Sequence, residues 1–154
     1  MLGIDGLPLK GISVVEFCQV AAGPFCGMLL ADMGADVVKV EAPGRGDDFR
    51  QYPPVLAELE GGLPFAWSNR NKRSIALDMK SDEGRSIAQE LAKTADIAIE
   101  SFGTGVAERL GIDAKTLQAS NERLIHCSIS GFGRTGPLKN SPGYDVILQA
   151  FSGV

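Results

Sequence analysis

One histidine, His126, and three cysteines, Cys18, Cys26 and Cys127, are all the imidazole and thiol groups that this chain of 154 residues has. None stands in CxxC or Cys/His spacing, so neither a metal site nor a disulfide framework is expected. The cysteines read as reduced, buried thiols, with Cys18 and Cys26 as small core residues rather than reactive thiols at a helix start. Basic charge is also short. Fifteen Lys and Arg against nineteen Asp and Glu leave a net charge of -4, which argues against nucleic acid as a partner. The opening MLGIDGLPLKG has no basic n-region and no long apolar run, so neither secretion nor a membrane is expected, and a cytoplasmic protein is. The dinucleotide fingerprint GxGxxG is missing from the first turn, where AAGPF stands, and GxxxxGK[ST] occurs nowhere, so NAD and ATP are not expected. No internal repeat is visible.

What is present is a chain of 44% hydrophobic residues, enough for one core and one domain. Ile12 to Phe17 is an apolar run of strand length, and Ala21-Ala22-Gly23-Pro24 follows as a turn with a proline where a helix can begin. The spacing of Phe25, Met28, Leu29 and Met33 predicts a helix over 25–33 with those side chains on one face, ended by Gly34. Asp36 to Glu41 resumes as strand, which completes a βαβ unit. Further strands are predicted at Ser74 to Met79, Asp96 to Ser101 and Leu124 to Ile129. Helices are predicted at Ser81 to Lys93 with Ser81 as N-cap, Val106 to Leu110 ended by Gly111, and Asp113 to Ala119 capped by Asp113. A last helix begins near Val146, with Asp145 as its cap. This alternation predicts an α/β fold, a Rossmann-like open parallel sheet with flanking helices. Two long loops interrupt it, Ala42 to Trp67 and Gly131 to Pro142, and loops of that length in a compact domain are where ligand contacts are sought.

Three stretches carry the functional information. Asn69 to Lys80 (NRNKRSIALDMK) runs a cluster of cations, Arg70, Lys72 and Arg73, into a strand pattern that ends at Lys80. Ala35 to Asp48 reads ADVVKVEAPGRGDD, and Ser128 to Asp145 reads SISGFGRTGPLKNSPGYD. In order and spacing they resemble the family III CoA-transferases, a superfamily that includes formyl-CoA transferase, carnitine CoA-transferase and alpha-methylacyl-CoA racemase. The resemblance runs from Leu9-Lys10-Gly11-Ile12 to the Gly143-Tyr144-Asp145 motif. It implies coenzyme A or an acyl-CoA as substrate, with no metal and no NAD. A CoA site needs separated cations for the phosphates and an apolar channel for the pantetheine arm, and Lys80, Arg109 and the Arg70/Lys72/Arg73 cluster are candidates for the first. The competing reading is that these cations pair with acidic neighbours such as Asp47, Asp48 and Glu108.

Carried over position by position, the resemblance implies that Ala21 and Ala22 touch the pantetheine or pyrophosphate. Leu77, Asp78, Met79 and Lys80 would follow the adenosine and its phosphates, and Ser101, Phe102 and Gly103 would continue that wall. Arg109 would meet a phosphate, and Gly143, Tyr144 and Asp145 would border the thioester. Three departures stand out. Ala42 takes the place of a frequent Arg or Pro after Glu41, leaving Arg45 as a substitute. Ser101 stands where Asn is usual. Ala21 replaces the glutamine of formyl-CoA transferase, which weakens formate and oxalate as the substrate pair.

The family transferases attack acyl-CoA with an aspartate a little beyond the GYD motif, giving a mixed anhydride and then an aspartyl-CoA thioester. That position would fall after Val154, so no catalytic residue is assigned here. The chain is expected to be the N-terminal part of the large CoA-binding domain, inactive alone, with the second domain and the remaining strands absent. The whole protein is expected to be an interlocked homodimer acting on an acyl-CoA and a small carboxylic acid, for example a dicarboxylate such as succinate, mesaconate or citramalate. Two alternatives stay open. One is an acyl-CoA racemase or epimerase, disfavoured because Tyr144 occupies the position of a histidine base and because His126 reads as a sheet residue. The other is a non-catalytic CoA-binding module.

Overall fold

The computed structural model describes residues 6–56 and 61–154. The first five residues of the opening stretch, and residues 57–60 of the first long loop, lie outside the described residues. Strand β1 (Ser13–Phe17) leads into helix α1 (Ala22–Asp32) and back to β2 (Asp36–Glu41). A short hairpin of β3 (Val55–Leu56) and β4 (Gly61–Gly62) precedes α2 (Leu63–Asn69). Then come β5 (Lys72–Ala76), α3 (Asp82–Thr94), β6 (Ile97–Glu100), α4 (Val106–Leu110), α5 (Ala114–Gln118), β7 (Ile125–Ser128) and α6 (Asp145–Ser152).

The main sheet has five parallel strands in the order β5-β2-β1-β6-β7. The chain builds outward from β1 through β2 to β5, then returns to the other side of β1 for β6 and β7. Strand order therefore reverses between β1 and β6, which makes the crevice beyond their carboxyl ends the topological switch point of an α/β sheet. Both faces of the sheet are covered, as a parallel sheet requires. Alternate residues of β1 serve the two faces: Val15 and Phe17 pack with Val40, Ala88, Ala92 and Leu117, while Val14 packs with Ala31, Ala35, Val37 and Ile99.

Charge breaks this apolar pattern on the α1 face. Glu16 and Lys39 are register partners in adjacent strands, and both are fully buried. Lys39 Nζ lies 2.9 Å from Glu16 Oε1, 2.9 Å from Asp47 Oδ2 and donates to the Cys18 carbonyl at 2.7 Å. Lys72 Nζ completes the group, donating to Glu16 Oε2 at 2.8 Å, the Pro24 carbonyl at 2.7 Å and Asn69 Oδ1 at 2.9 Å. Burial alone would push the Lys39 ammonium down, but the carboxylates of Glu16 and Asp47 outweigh it and hold it above its ordinary value. For Lys72, burial and the neighbouring Lys39 charge prevail over Glu16 and pull it below.

This group explains a difference from expectation. The predicted helix over 25–33 begins earlier, at Ala22, and its larger apolar side chains are turned outward: Phe25, Leu29 and Met33 are exposed, and Met28 alone of the four is buried. The buried side is made of Gly23, Pro24, Gly27, Met28 and Ala31. A Cβ at Gly27 would stand 2.0 Å from Glu16 Oε2, and one at Gly23 would stand 2.3 Å from Cys18 Sγ. The helix presents its smallest residues so that it can sit directly on a buried carboxylate. Its larger side chains point away, where Phe25 stacks on Trp67.

Other boundaries move for similar reasons. The strand expected at Ser74 to Met79 is β5, shifted upstream to Lys72–Ala76 because its register partners are Val37 to Glu41. The loop expected over Ala42 to Trp67 holds a short 3-10 helix (Asp48–Gln51), the hairpin and most of α2. Asp145 does not cap α6; Tyr144 is the N-cap, and Asp145 opens the first turn, where its carboxylate accepts from Gln149 at 2.6 Å. The predicted caps of α3 and α5 are present, with Ser81 accepting from the Gly84 amide and Asp113 from the Thr116 amide. Among the described residues no helix is long and apolar enough to cross a membrane.

Replacing Lys39 with Met removes the cation that Glu16 and Asp47 share while keeping an aliphatic stem in place. The expected loss is about 3–5 kcal/mol, the cost of leaving buried charge uncompensated, read as a lower urea midpoint in equilibrium unfolding.

Candidate functional site

A cleft of about 430 Å³ opens at the switch point. Its floor comes from strand ends and the residues just beyond them: Phe17 at the end of β1, Val40 in β2, Leu77 after β5 and Phe102 after β6. Met79 and Leu110 extend the apolar wall, and Lys80 and Arg109 supply the cations. Asp78 is also in the lining, where its carboxylate accepts the Lys80 backbone amide at 2.9 Å. These groups meet because β5 and β6 end on either side of β1 and β2, so segments about thirty residues apart in sequence face one crevice.

The cleft thus brings together Leu77, Asp78, Met79, Lys80, Phe102 and Arg109 of the residues singled out from sequence. The others lie outside its lining. Ala21 caps α1, and Ala22 begins it. Ser101 turns toward the β1–α1 turn, where its hydroxyl hydrogen-bonds the Cys18 thiol, while burial pushes that thiol far above its ordinary value. Gly103 is exposed, and Gly143 backs onto Gly131, each leaving no room for a Cβ on the other. Tyr144 and Asp145 stand exposed at the start of α6.

The cation cluster before the site is largely paired. Arg70 forks onto Asp32, Arg73 onto Asp36, and Lys72 is buried against Glu16. The carboxylates that neutralise the cluster are therefore on α1, β1 and β2, not Asp47, Asp48 and Glu108. Arg45, the candidate substitute beside Ala42, pairs with Asp48 at 2.9 Å. His126 keeps its sheet role, with Nε2 3.0 Å from the Ile112 carbonyl. Among the described residues no cluster of three or more His, Cys, Asp or Glu is arranged to hold a metal.

Sequence reasoning placed the turn between β1 and α1, with Gln19 to Pro24 as the first crevice, but missed what holds it. Val20 has φ 68°, a conformation that costs a β-branched residue on the order of 1–3 kcal/mol. It is held there by Asp47, whose Oδ1 accepts the Val20 amide at 3.0 Å and the Phe49 amide at 2.9 Å. Lys39 grips the same turn at the Cys18 carbonyl. A charge between apolar neighbours in each strand, Glu16 in SVVEF and Lys39 in DVVKVE, was the available signal.

Glu41 joins this support to the cleft. It lines the cleft and accepts from Arg50 Nε and Nη2 at 2.7 Å each, Ser74 Oγ at 2.5 Å and the Asp47 amide at 2.8 Å. Arg50 in turn lies over the Phe65 ring at 3.7 Å. A second clamp holds the other wall: Glu100 accepts the Phe102 amide at 2.8 Å and Arg134 at 2.6 Å, and Arg134 donates to the Phe102 carbonyl at 2.7 Å.

A doubly wound α/β domain with an apolar-floored, cation-bearing cleft at its switch point belongs to the class of folds that receive ligands beyond their strand ends. The sequence matches the model of CoA-transferase family III over residues 9–154, and the chain belongs to that family. It is 47% identical to a succinate–glutarate CoA-transferase of Agrobacterium fabrum, over 95% of this chain and 38% of that protein. It is 44% identical to an acetyl-CoA:oxalate CoA-transferase of Acetobacter aceti, over 96% of this chain and 37% of the relative. The crystal structure of a CAIB/BAIF family protein from Brucella suis superposes with a TM-score of 0.91 at 43% identity, covering 96% of this chain and 39% of that one. The chain therefore spans less than two fifths of the length of each of these relatives.

Burial opposes ionisation of Glu41, but Arg50, Ser74 and the Asp47 amide outweigh it and lower its pKa from 4.5 to about 2. A depressed carboxylate stabilises the fold above its unfolded pKa and loses that contribution as pH falls through the folded one. Urea midpoints should therefore decline between about pH 4.5 and pH 2, and Glu41→Gln should flatten that limb while lowering stability at neutral pH.

Proposed function

We propose that this chain supplies the CoA-binding wall of a family III CoA-transferase, as the N-terminal part of the large domain. The observation that carries the proposal is the cleft itself, with an apolar floor of Phe17, Val40, Leu77 and Phe102 and cations at Lys80 and Arg109. Coenzyme A is a ligand of that shape, anionic at its phosphates and uncharged along its arm. In this reading Lys80 and Arg109 meet phosphates, the Leu77 to Met79 segment lies along the adenosine, and Phe102 forms the facing wall. Ser101 and Gly103 continue that wall, Ala21 and Ala22 approach the pantetheine or pyrophosphate, and Gly143, Tyr144 and Asp145 border the thioester.

In this reading the reaction is covalent transfer through an enzyme carboxylate. A carboxylate nucleophile attacks the acyl-CoA carbonyl and expels CoA thiolate, giving a mixed anhydride. The thiolate then attacks the enzyme carbonyl of that anhydride, giving an enzyme-CoA thioester and the free acid. The acceptor carboxylate repeats the exchange in reverse. We assign that nucleophile to no residue of this chain. The relatives named for succinate, glutarate and oxalate support a small dicarboxylic acid as acceptor class. The exposed apolar side chains of α6, Val146 and Phe151, and of α1 support burial against further protein in a dimeric whole. A cytoplasmic location fits acyl-CoA metabolism.

Calorimetric titration with CoA tests the site. Saturable binding is expected, weakened about threefold to tenfold by Lys80→Ala and by Arg109→Ala, as for a partly exposed ion pair. Both differences should shrink from low to moderate salt. A folded chain that does not bind, or variants that bind like wild type at low salt, would overturn the assignment.

A further inference from the structure

The cleft has one polar side chain at the end of its central strand. Gln19 stands two residues beyond β1, is exposed and lines the cleft amid Phe17, Val40 and Phe102. Among the described residues its amide has no protein partner. The peptides on both sides of it are fixed from beneath: Lys39 holds the Cys18 carbonyl, and Asp47 holds the Val20 amide. Lys39 and Asp47 are themselves fully buried and paired. Val20 is kept at φ 68° by this arrangement. Such a conformation persists only where the surroundings over-determine it, and here they determine the direction in which Gln19 leaves the turn.

Resting on the CoA reading of the cleft, we infer that Gln19 is a ligand-contacting residue and that Asp47, backed by Lys39, is the positioning residue that presents it. A carboxamide offers one donor and one acceptor side by side. The adenine N6/N7 edge of coenzyme A matches both together, and the trans amides of the pantetheine arm, whose N–H and C=O point apart, match one of them at a time. The preorganised turn lets Gln19 meet that edge without ordering a loop on binding. The neighbouring cavity of about 280 Å³ among Lys39, Arg50, Lys72 and Arg73 is different, because carboxylates within the fold pair all four cations.

The test compares wild type, Gln19→Ala, Asp47→Asn and Asp47→Ala by calorimetric titration and thermal unfolding, with CoA and adenosine 3′,5′-bisphosphate as probes. Gln19→Ala is expected to keep its melting temperature and to weaken CoA about threefold to tenfold, the effect of one hydrogen bond. Equal weakening toward the bisphosphate assigns the contact to adenine, and weakening toward CoA alone assigns it to a pantetheine amide. Asp47→Asn keeps an acceptor for the Val20 amide, so it should lower the melting temperature yet bind CoA within about twofold of wild type, whereas Asp47→Ala should lose both. If Asp47→Ala does not fold, the Gln19 and Asn variants decide the matter. Unchanged CoA affinity in Gln19→Ala, beside a wild type that binds, overturns the Gln19 contact and leaves the CoA reading intact. Equal affinity losses in Asp47→Asn and Asp47→Ala overturn the positioning role. No binding of CoA by the folded wild type overturns both readings.

Discussion

A lysine ammonium with no access to water organises the carboxyl end of this sheet. Lys39 donates to Glu16 and to the Cys18 carbonyl and is ion-paired with Asp47 at 2.9 Å. Each partner lies on a different segment: strand β1, the loop after β2, and the β1–α1 turn. Burying such a group is costly unless every bond is made. The cost therefore acts as a geometric constraint, since the loop and the turn can take only the positions that satisfy the lysine. Lys72 extends the constraint to β5 and to the first turn of α1 through the Pro24 carbonyl.

The two faces of the sheet divide the work. The α1 face holds the charged network and needs Gly23 and Gly27 to let the helix approach it. The opposite face, packed by α3, α4 and α5, is apolar up to the strand ends and continues as the floor of the cleft. Glu41 is where the two systems meet, since it is held by Arg50 and Ser74 and also lines the cleft. The cleft is thus a hydrophobic surface with walls set by buried polar clamps: Lys39 and Asp47 behind the β1 turn, and Glu100 with Arg134 behind Phe102. Hydrophobic packing alone is non-directional, and these charge-assisted bonds supply direction.

Much of the fold was legible because its signals are local. Ser81 before an acidic first turn, Asp113 before a short apolar helix, and Gly111 in a left-handed conformation act within four residues of their own position. In the main sheet every strand was expected and β5 is the one displaced, while the β3–β4 hairpin was read as loop. β5 begins at Lys72 because Val37 to Glu41 pair with it, a constraint carried by a segment some thirty residues upstream. The inverted α1 is more instructive. Periodicity places Phe25, Leu29 and Met33 on one face correctly, but a buried carboxylate beneath the helix decides which face turns inward.

Family membership was readable from three motifs, because a shared order of short segments survives without knowledge of where they meet. The sequence by itself determined the α/β alternation, the caps of α3 and α5, and the run Leu77 to Lys80 as cleft material. Only the tertiary structure decided that the Arg70, Lys72 and Arg73 cations are largely spent on Asp32, Glu16 and Asp36, and that Gln19 rather than Ala21 or Ala22 lines the cleft. The reason is the range of the interactions involved. Caps and periodicity are settled within a turn or a strand, whereas the pairing of a charge and the outlook of a strained turn depend on which strands become neighbours.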